Sequence, residues 1–374
     1  MLNKQFFVTV SILVVAGFFR FFHLSQYPLL PYSNFLMSGD IFISMFTSIV
    51  LGLIGILGLY ILAKELFSWQ IGAIASFLMT ISVWHITYSQ SGLTYILIPT
   101  IFVWTFFFMW YGMRKSHTGS FVVAGILGAA GVYISYSNLW FIAIAILLFL
   151  NYWSYLKKDF EYSKYEFARN KLLQGFTILF LTALIILLPA GFNNWQHPSI
   201  ILTILSNSIF SKLDIFSTLT RNVAETLNMF MPTIIVGSGH DVAQLPPISW
   251  PICILFIIGF VRELAHWFSR KHGHFSTSHT FIFAWFIFML MPGFLSASSP
   301  SQASIIGVLP VIFIFAARGI WWIFDKLNHW EYAIHIDKHK LFHGHFAPSV
   351  LLALWALLIA VSFHELWRYF KLIV

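Results

Sequence analysis

Residues 39–92 leave few folds open to this chain. They read GDIFISMFTSIVLGLIGILGLYILAKELFSWQIGAIASFLMTISVWHITYSQSG, two long apolar runs joined by about six residues from Lys64 to Trp69. Each run approaches the ~20 residues an α-helix needs to cross a bilayer. Neither run keeps a polar face for water, so the backbone must be satisfied inside helices and the side chains must meet lipid or other helices. The second run ends in a cluster of polar and aromatic side chains: Trp84, His85, Tyr88, Ser89 and Gln90.

The rest of the chain repeats the pattern. Of 374 residues, 59% are hydrophobic and only 9% charged, with mean hydropathy +0.82, whereas soluble domains carry about a quarter charged residues. The expected fold is all-α: one polytopic integral membrane domain over 1–374. Spans are expected at 1–22, 41–63, 71–90, 93–112, 120–136, 138–156, 173–191, 249–268, 279–297, 303–323 and 348–367, about eleven in all. The first is read as an uncleaved span, since no small-x-small site follows it, with Arg20 snorkelling to the interface. Cys253 is the single cysteine, so no intramolecular disulfide forms.

The net charge of +8 is read as an orientation signal, with no nucleic-acid partner expected. With the N-terminus in the cytoplasm, sixteen of the 21 Lys and Arg fall inside, four outside, and Arg20 at the outer edge. The sixteen include Lys64, Arg114, Lys115, Lys157, Lys158, Lys171 and Arg318; the four are Lys212, Arg221, Arg368 and Lys371. The expected location is therefore a cell membrane crossed many times. The longest segment between spans, 192–247, then lies outside. Its apolar spacing predicts interfacial helices, with Thr220 a candidate cap for TRNVAETLNMFMP.

Several segments resemble the GT-C superfamily in order and spacing. They are the hairpin 39–92, the span GILGAAGVYISYS, TRNVAETLNMF, and WFIFMLMPGFLSASSPSQASIIGVLPVIFIFAARG. The likeness is to the branch of protein O-mannosyltransferases and lipid A aminoarabinose transferases, and it extends to about Lys326. It implies a membrane glycosyltransferase that takes a sugar from a polyprenyl-phosphate donor and places it on an acceptor outside the cytoplasm. The implied partners are that donor and the membrane lipids. No Gly-rich turn of a nucleotide-binding kind competes.

Such a reaction needs a carboxylate to take the acceptor proton and cations or a metal to meet the leaving phosphate. The chain departs from the family at these places. After the turn QYPLLPYS, where relatives carry an acidic pair, stand Ser33 and Asn34; where they tend to carry Ser-Arg, this chain has Ser89 and Gln90. The late outer loop has Ser301, Gln302, Ala303 and Ser304 after Pro300 in place of a His and an Arg.

The remaining candidates are few. Asp40 and Asp241 are the candidate catalytic acids; Asp40 also reads as a helix cap, and Asp241, beside His240, as a solvated loop residue or a metal ligand. Arg221, His85, Tyr88 and Gln90 are the candidate contacts to donor phosphate or lipid, although Arg221 also pairs with Glu225 at i,i+4 and His85 also suits an aromatic belt. No metal site is assigned and the cofactor stays open, a divalent cation being one candidate. The segment 325–347 carries His335, His339, His343, Lys338 and Lys340, a basic loop for anionic lipid before a metal site. Two alternatives stay open: an inactive relative that binds lipid or a partner, and a transporter or flippase. Against the latter, no span interior shows a charged relay.

Overall fold

A computed structural model of the chain describes residues 2–22, 41–91, 94–159, 162–196, 208–212, 214–231, 246–268, 277–298, 300–335 and 348–373. Among these residues there are thirteen α-helices, short 3-10 turns and no strand beyond the isolated bridge Ser208–Ser296. In chain order they are α1 (Leu2–Phe21), α2 (Ile41–Leu66), α3 (Trp69–Ile81), α4 (Val83–Gln90), α5 (Leu97–Lys115), α6 (Thr118–Ile134) and α7 (Trp140–Asp159). Then follow α8 (Tyr162–Gln196), α9 (Ile215–Asn228), α10 (Trp250–Phe268), α11 (Thr277–Phe294), α12 (Leu309–His335) and α13 (Pro348–Ile373). The chain is an all-α, multi-pass membrane protein. Seven of these helices are long and apolar enough to cross a bilayer, or eight if α3 and α4 make one span bent by 60°.

Burial divides the bundle into a centre and a rim. The span Ile306–Trp330 is 78% buried, while Lys4–Phe21 and Pro348–Lys371 are 17% and 22% buried. So α12 runs through the middle, packed on α10 and α3, and α1, α8 (Glu166–Asn193, also 22% buried) and α13 lie on the rim with their apolar side chains turned to lipid. The close seam is α10 against α12. A Cβ added at Gly259 would meet the Phe315 carbonyl oxygen, and one at Gly319 would meet the Leu255 carbonyl oxygen and, at 2.9 Å, the Gly259 nitrogen. Only glycine on both sides lets these backbones touch.

Four local expectations are corrected. The α2–α3 turn is shorter than six residues, because α2 continues to Leu66 and Ser68 Oγ already accepts the Ile71 amide at 3.4 Å. Helix α8 runs 35 residues to Gln196, so it begins well before 173 and extends into the segment expected to leave the bundle at 192. The cap of α9 is Asp214, whose carboxylate accepts the Ser217 amide at 3.2 Å; Thr220 sits inside the helix, bonded back to the Phe216 and Ser217 carbonyls. The fourth concerns charge. Glu263 on α10 is fully buried and takes Arg262 and Arg318 at 2.8 Å each, with His279 Nε2 at 2.7 Å. Arg318 also lies over the Phe67 ring, 4.5 Å from its centroid. The spans therefore do carry an ionic network, and it ties α10, α11 and α12 to the α2–α3 turn.

Helix α9 has its apolar residues Ile215, Phe216 and Leu227 exposed and its polar Asn222 and Thr226 buried. That inversion follows from what it packs on: Asn222 Nδ2 donates to the carbonyls of Phe294, the last residue of α11, and of Ser296 just beyond it, at 3.2 and 2.7 Å.

Candidate functional site

The bend in the hairpin's second helix builds the candidate site. Ser82 is extended (φ −63°, ψ 122°), and no Pro or Gly stands at the break. An interrupted helix frees a carbonyl on one side and an amide on the other, and both are buried here. Arg20 Nη1 donates to the freed Thr80 carbonyl at 3.2 Å and to Ala16 O at 2.9 Å. On the other side, Glu365 of α13 accepts the Val83 amide at 3.1 Å, and Arg368 Nη1 donates to Glu365 at 3.1 Å. Arg368 also donates to the Pro246 carbonyl.

Arg20 is thus not an interfacial anchor. It is fully buried, on the face of α1 that meets α3 and α4. Its Nη2 lies 2.6 Å from His85 Nδ1. A guanidinium can only donate, so Nδ1 is the acceptor and Nε2 carries the proton of a neutral ring. Among the described residues, that Nε2–H and the Nε–H of Arg20 are buried without a hydrogen-bond partner. Nor does any described carboxylate lie within ion-pair range of Arg20; the only described ion pairs are formed by other residues. Among the described residues, then, Arg20 is a buried cation with no carboxylate in ion-pair range, and its Nε–H and the neighbouring His85 Nε2–H are two buried donors that an anion would satisfy.

The other hairpin candidates close around it. Gln90, fully buried, points Nε2 at the last carbonyls of α1 (Arg20 O at 3.1 Å, Phe19 O at 3.3 Å, Phe22 O at 3.4 Å) and at Tyr369 Oη at 3.1 Å. Tyr88 is buried with its ring edge-on to Tyr95. Ser89 Oγ donates to His85 O at 2.6 Å. Across from them α2 offers Gly52, where a Cβ would lie 2.6 Å from Ser89 Oγ and 3.3 Å from His85 Cε1, so glycine lets α4 fold in. His85, Tyr88 and Gln90 are therefore together and inside the protein. Arg221 stands apart on α9, half exposed, 3.7 Å from Glu225. Asp40 and Asp241 lie outside the described residues, as do His240, His339 and His343. Among the described residues no group of three or more His, Cys, Asp and Glu is arranged to hold a metal.

The sequence reading missed Arg20, Glu365 and Tyr369 as partners of this site. One signal was there: an arginine flanked by two phenylalanines on each side is costly to leave in an apolar helix unless something inside receives it.

The family model described as Dolichyl-phosphate-mannose-protein mannosyltransferase matches residues 31–168, which include the whole hairpin and both sides of the break. Archaeal oligosaccharyltransferase AglB from Archaeoglobus fulgidus, solved with an inhibitory peptide and a dolichol-phosphate, matches with TM-score 0.51 and 13% identity, over 96% of this chain and 51% of its own. The apo form of the Archaeoglobus fulgidus oligosaccharyltransferase gives TM-score 0.49 and 14% identity, over 95% and 52%. This chain thus spans about half the length of those structures, and what it shares with AglB at such identity is the fold. A search of curated proteins finds no match. The comparisons therefore give this chain two things: a dolichyl-phosphate-mannose-protein mannosyltransferase family match over its hairpin region, residues 31–168, and a fold similar to that of archaeal oligosaccharyltransferase AglB.

Proposed function

We propose that this protein transfers a sugar from a polyprenyl-phosphate donor to a hydroxyl acceptor on the extracytoplasmic side of a cell membrane, its N-terminus lying in the cytoplasm. The observation that carries the reading is Arg20, which no described carboxylate compensates, with the buried Nε2–H of His85 that has no partner among the described residues, held at the break of the family-matched hairpin. In the reaction the acceptor oxygen bonds to the anomeric carbon, the bond from that carbon to the phosphate oxygen breaks, and polyprenyl phosphate leaves with the electron pair. Arg20 and His85 donate to that leaving oxygen or its neighbours; Arg221 stands apart on α9 and would meet a lipid phosphate there instead. Tyr88 and Gln90 shape the wall and hold α1 and α13 around it. Asp40 or Asp241 takes the acceptor proton. Support for the donor class also comes from the dolichol-phosphate named with the archaeal enzyme of the same fold.

A second reading is favoured by the close packing of the site. His85 and Gln90 are already fully buried, which suits a relative that binds the lipid phosphate without turnover. Purified protein given a labelled polyprenyl-phosphate sugar separates the two. Transfer that is lost in Asp40→Asn or Asp241→Asn supports the enzyme; donor binding with no transfer by the wild type supports the binder. Transfer that survives both substitutions together removes these carboxylates from the mechanism.

A further inference from the structure

A second place in the molecule combines a cavity with charge, away from the Arg20 site. The end of α5, the start of α6, the second half of α7 and the first turns of α8 surround a cavity of about 170 Å³. Arg114 and Lys171 supply its charge, Ser116 and Tyr152 its hydroxyls, and Phe121 and Leu172, 2% and 4% exposed, its apolar floor. Arg114 Nη1 donates to Glu65 O at 3.0 Å and lies 3.5 Å from the Glu65 carboxylate. The cavity is therefore level with the α2–α3 turn. His85 faces Gly52, thirteen residues earlier on α2, so the two places are about 20 Å apart along the bundle at 1.5 Å per residue.

Three features define what would fill it. The charge is positive on balance: the Arg114–Glu65 pair is partly exposed and weak, and residues 157–171 carry Lys157, Lys158, Lys164, Arg169 and Lys171 against Asp159, Glu161 and Glu166 in sequence. The floor is apolar, which a free inorganic anion does not need. From the rim, α8 continues as an outward row of Leu173, Leu181, Leu184, Ile185 and Leu188, all exposed along a span apolar enough for lipid contact. Basic pockets at the ends of transmembrane helices bind phosphate-bearing headgroups, and the bias of Lys and Arg puts this end on the cytoplasmic side.

We propose that the cavity holds the headgroup of an anionic phospholipid of the cytoplasmic leaflet, with Arg114 and Lys171 on its phosphate and its acyl chains along α8. The site is separate from the sugar-transfer reading and does not depend on it. Native mass spectrometry of the full chain, exchanged into either phosphatidylglycerol or phosphatidylcholine, tests it. Phosphatidylglycerol adducts should exceed phosphatidylcholine adducts in the wild type. They should fall about fivefold for each charge removed, in Lys171→Gln and again in Arg114→Gln/Lys171→Gln, as expected of one basic side chain at an anionic surface. Lys171 is a partly exposed rim side chain, so the single variant keeps the test open if the double variant does not fold. Equal retention in the wild type and Lys171→Gln, or no preference between the two lipids, overturns the proposal. So does stabilisation by inorganic phosphate equal to that by phosphatidylglycerol, which would make this a free-anion site.

Discussion

Arg20 on the first helix and Glu365 on the last hold opposite sides of one helix break: Arg20 donates to the freed Thr80 carbonyl at 3.2 Å, and Glu365 accepts the freed Val83 amide at 3.1 Å. Two rim helices thus support a bend inside the bundle, and the bend presents His85 to Arg20. Scaffold and site share the same hydrogen bonds.

Glu365→Ala should destabilise the protein by about 3–5 kcal/mol, because it strands Arg368 in a buried position and leaves the Val83 amide unpaired. Glu365→Gln keeps an acceptor for that amide and should cost less. Thermal melts in detergent check the order. Equal melting of the two variants would show that the carboxylate does not support the break.

Gly259→Leu should prevent α10 from seating on α12, since even a Cβ there meets the Phe315 carbonyl. Overpacking of a close seam costs typically 1–3 kcal/mol, and more where the obstacle is backbone. The measurement is the yield of monodisperse protein and its melting midpoint; a Gly259→Leu protein that melts like the wild type contradicts the seam.

At the ionic network, Glu263→Leu leaves Arg262 and Arg318 as like charges around an apolar side chain, at a cost of about 3–5 kcal/mol. Arg318→Met added to it should restore part of that loss. A double-mutant cycle on melting midpoints reads the coupling. Additive effects of the two substitutions would mean that Arg318 is held by Phe67 rather than by Glu263.

Asn222→Ala should release α9 from α11. The lost amide leaves the Phe294 and Ser296 carbonyls without that donor, a cost of about 1–3 kcal/mol, and hydrogen exchange over residues 215–228 should accelerate while α12 stays protected. Unchanged exchange there would show that other contacts dock the helix.

The membrane class was legible in the sequence because apolar runs near 20 residues have few other uses. So was helix in the expected span regions, since the runs are long and end at charged or turn residues, although among the described residues seven helices, or eight with the bent pair, are long and apolar enough to cross a bilayer where about eleven spans were expected. The break at Ser82 was not, because Ser82 lies in an apolar stretch without Pro or Gly and is extended only in partnership with Arg20 and Glu365, distant in sequence. Arg20 reads as an interfacial anchor when α1 is viewed alone; its inward direction depends on the rotation of α1 against α4. The Glu263 network was hidden for a related reason: Arg262, His279 and Arg318 look like separate charges at span ends until the bundle brings them to one carboxylate. Gln90 and His85 were found by position at a span's end, while their full burial came from Gly52 and α13.

The central claim is that the Nε2–H of His85, beside Arg20, receives a lipid phosphate. His85→Asn tests it, because the asparagine oxygen can take the place of Nδ1 as the acceptor for Arg20 while the Nε2–H is lost. Binding of a polyprenyl phosphate to the purified protein should weaken about tenfold or more, the size of one hydrogen bond to a charged group, with the melting midpoint of the free protein close to wild type. Wild-type affinity in a folded His85→Asn protein would contradict the account.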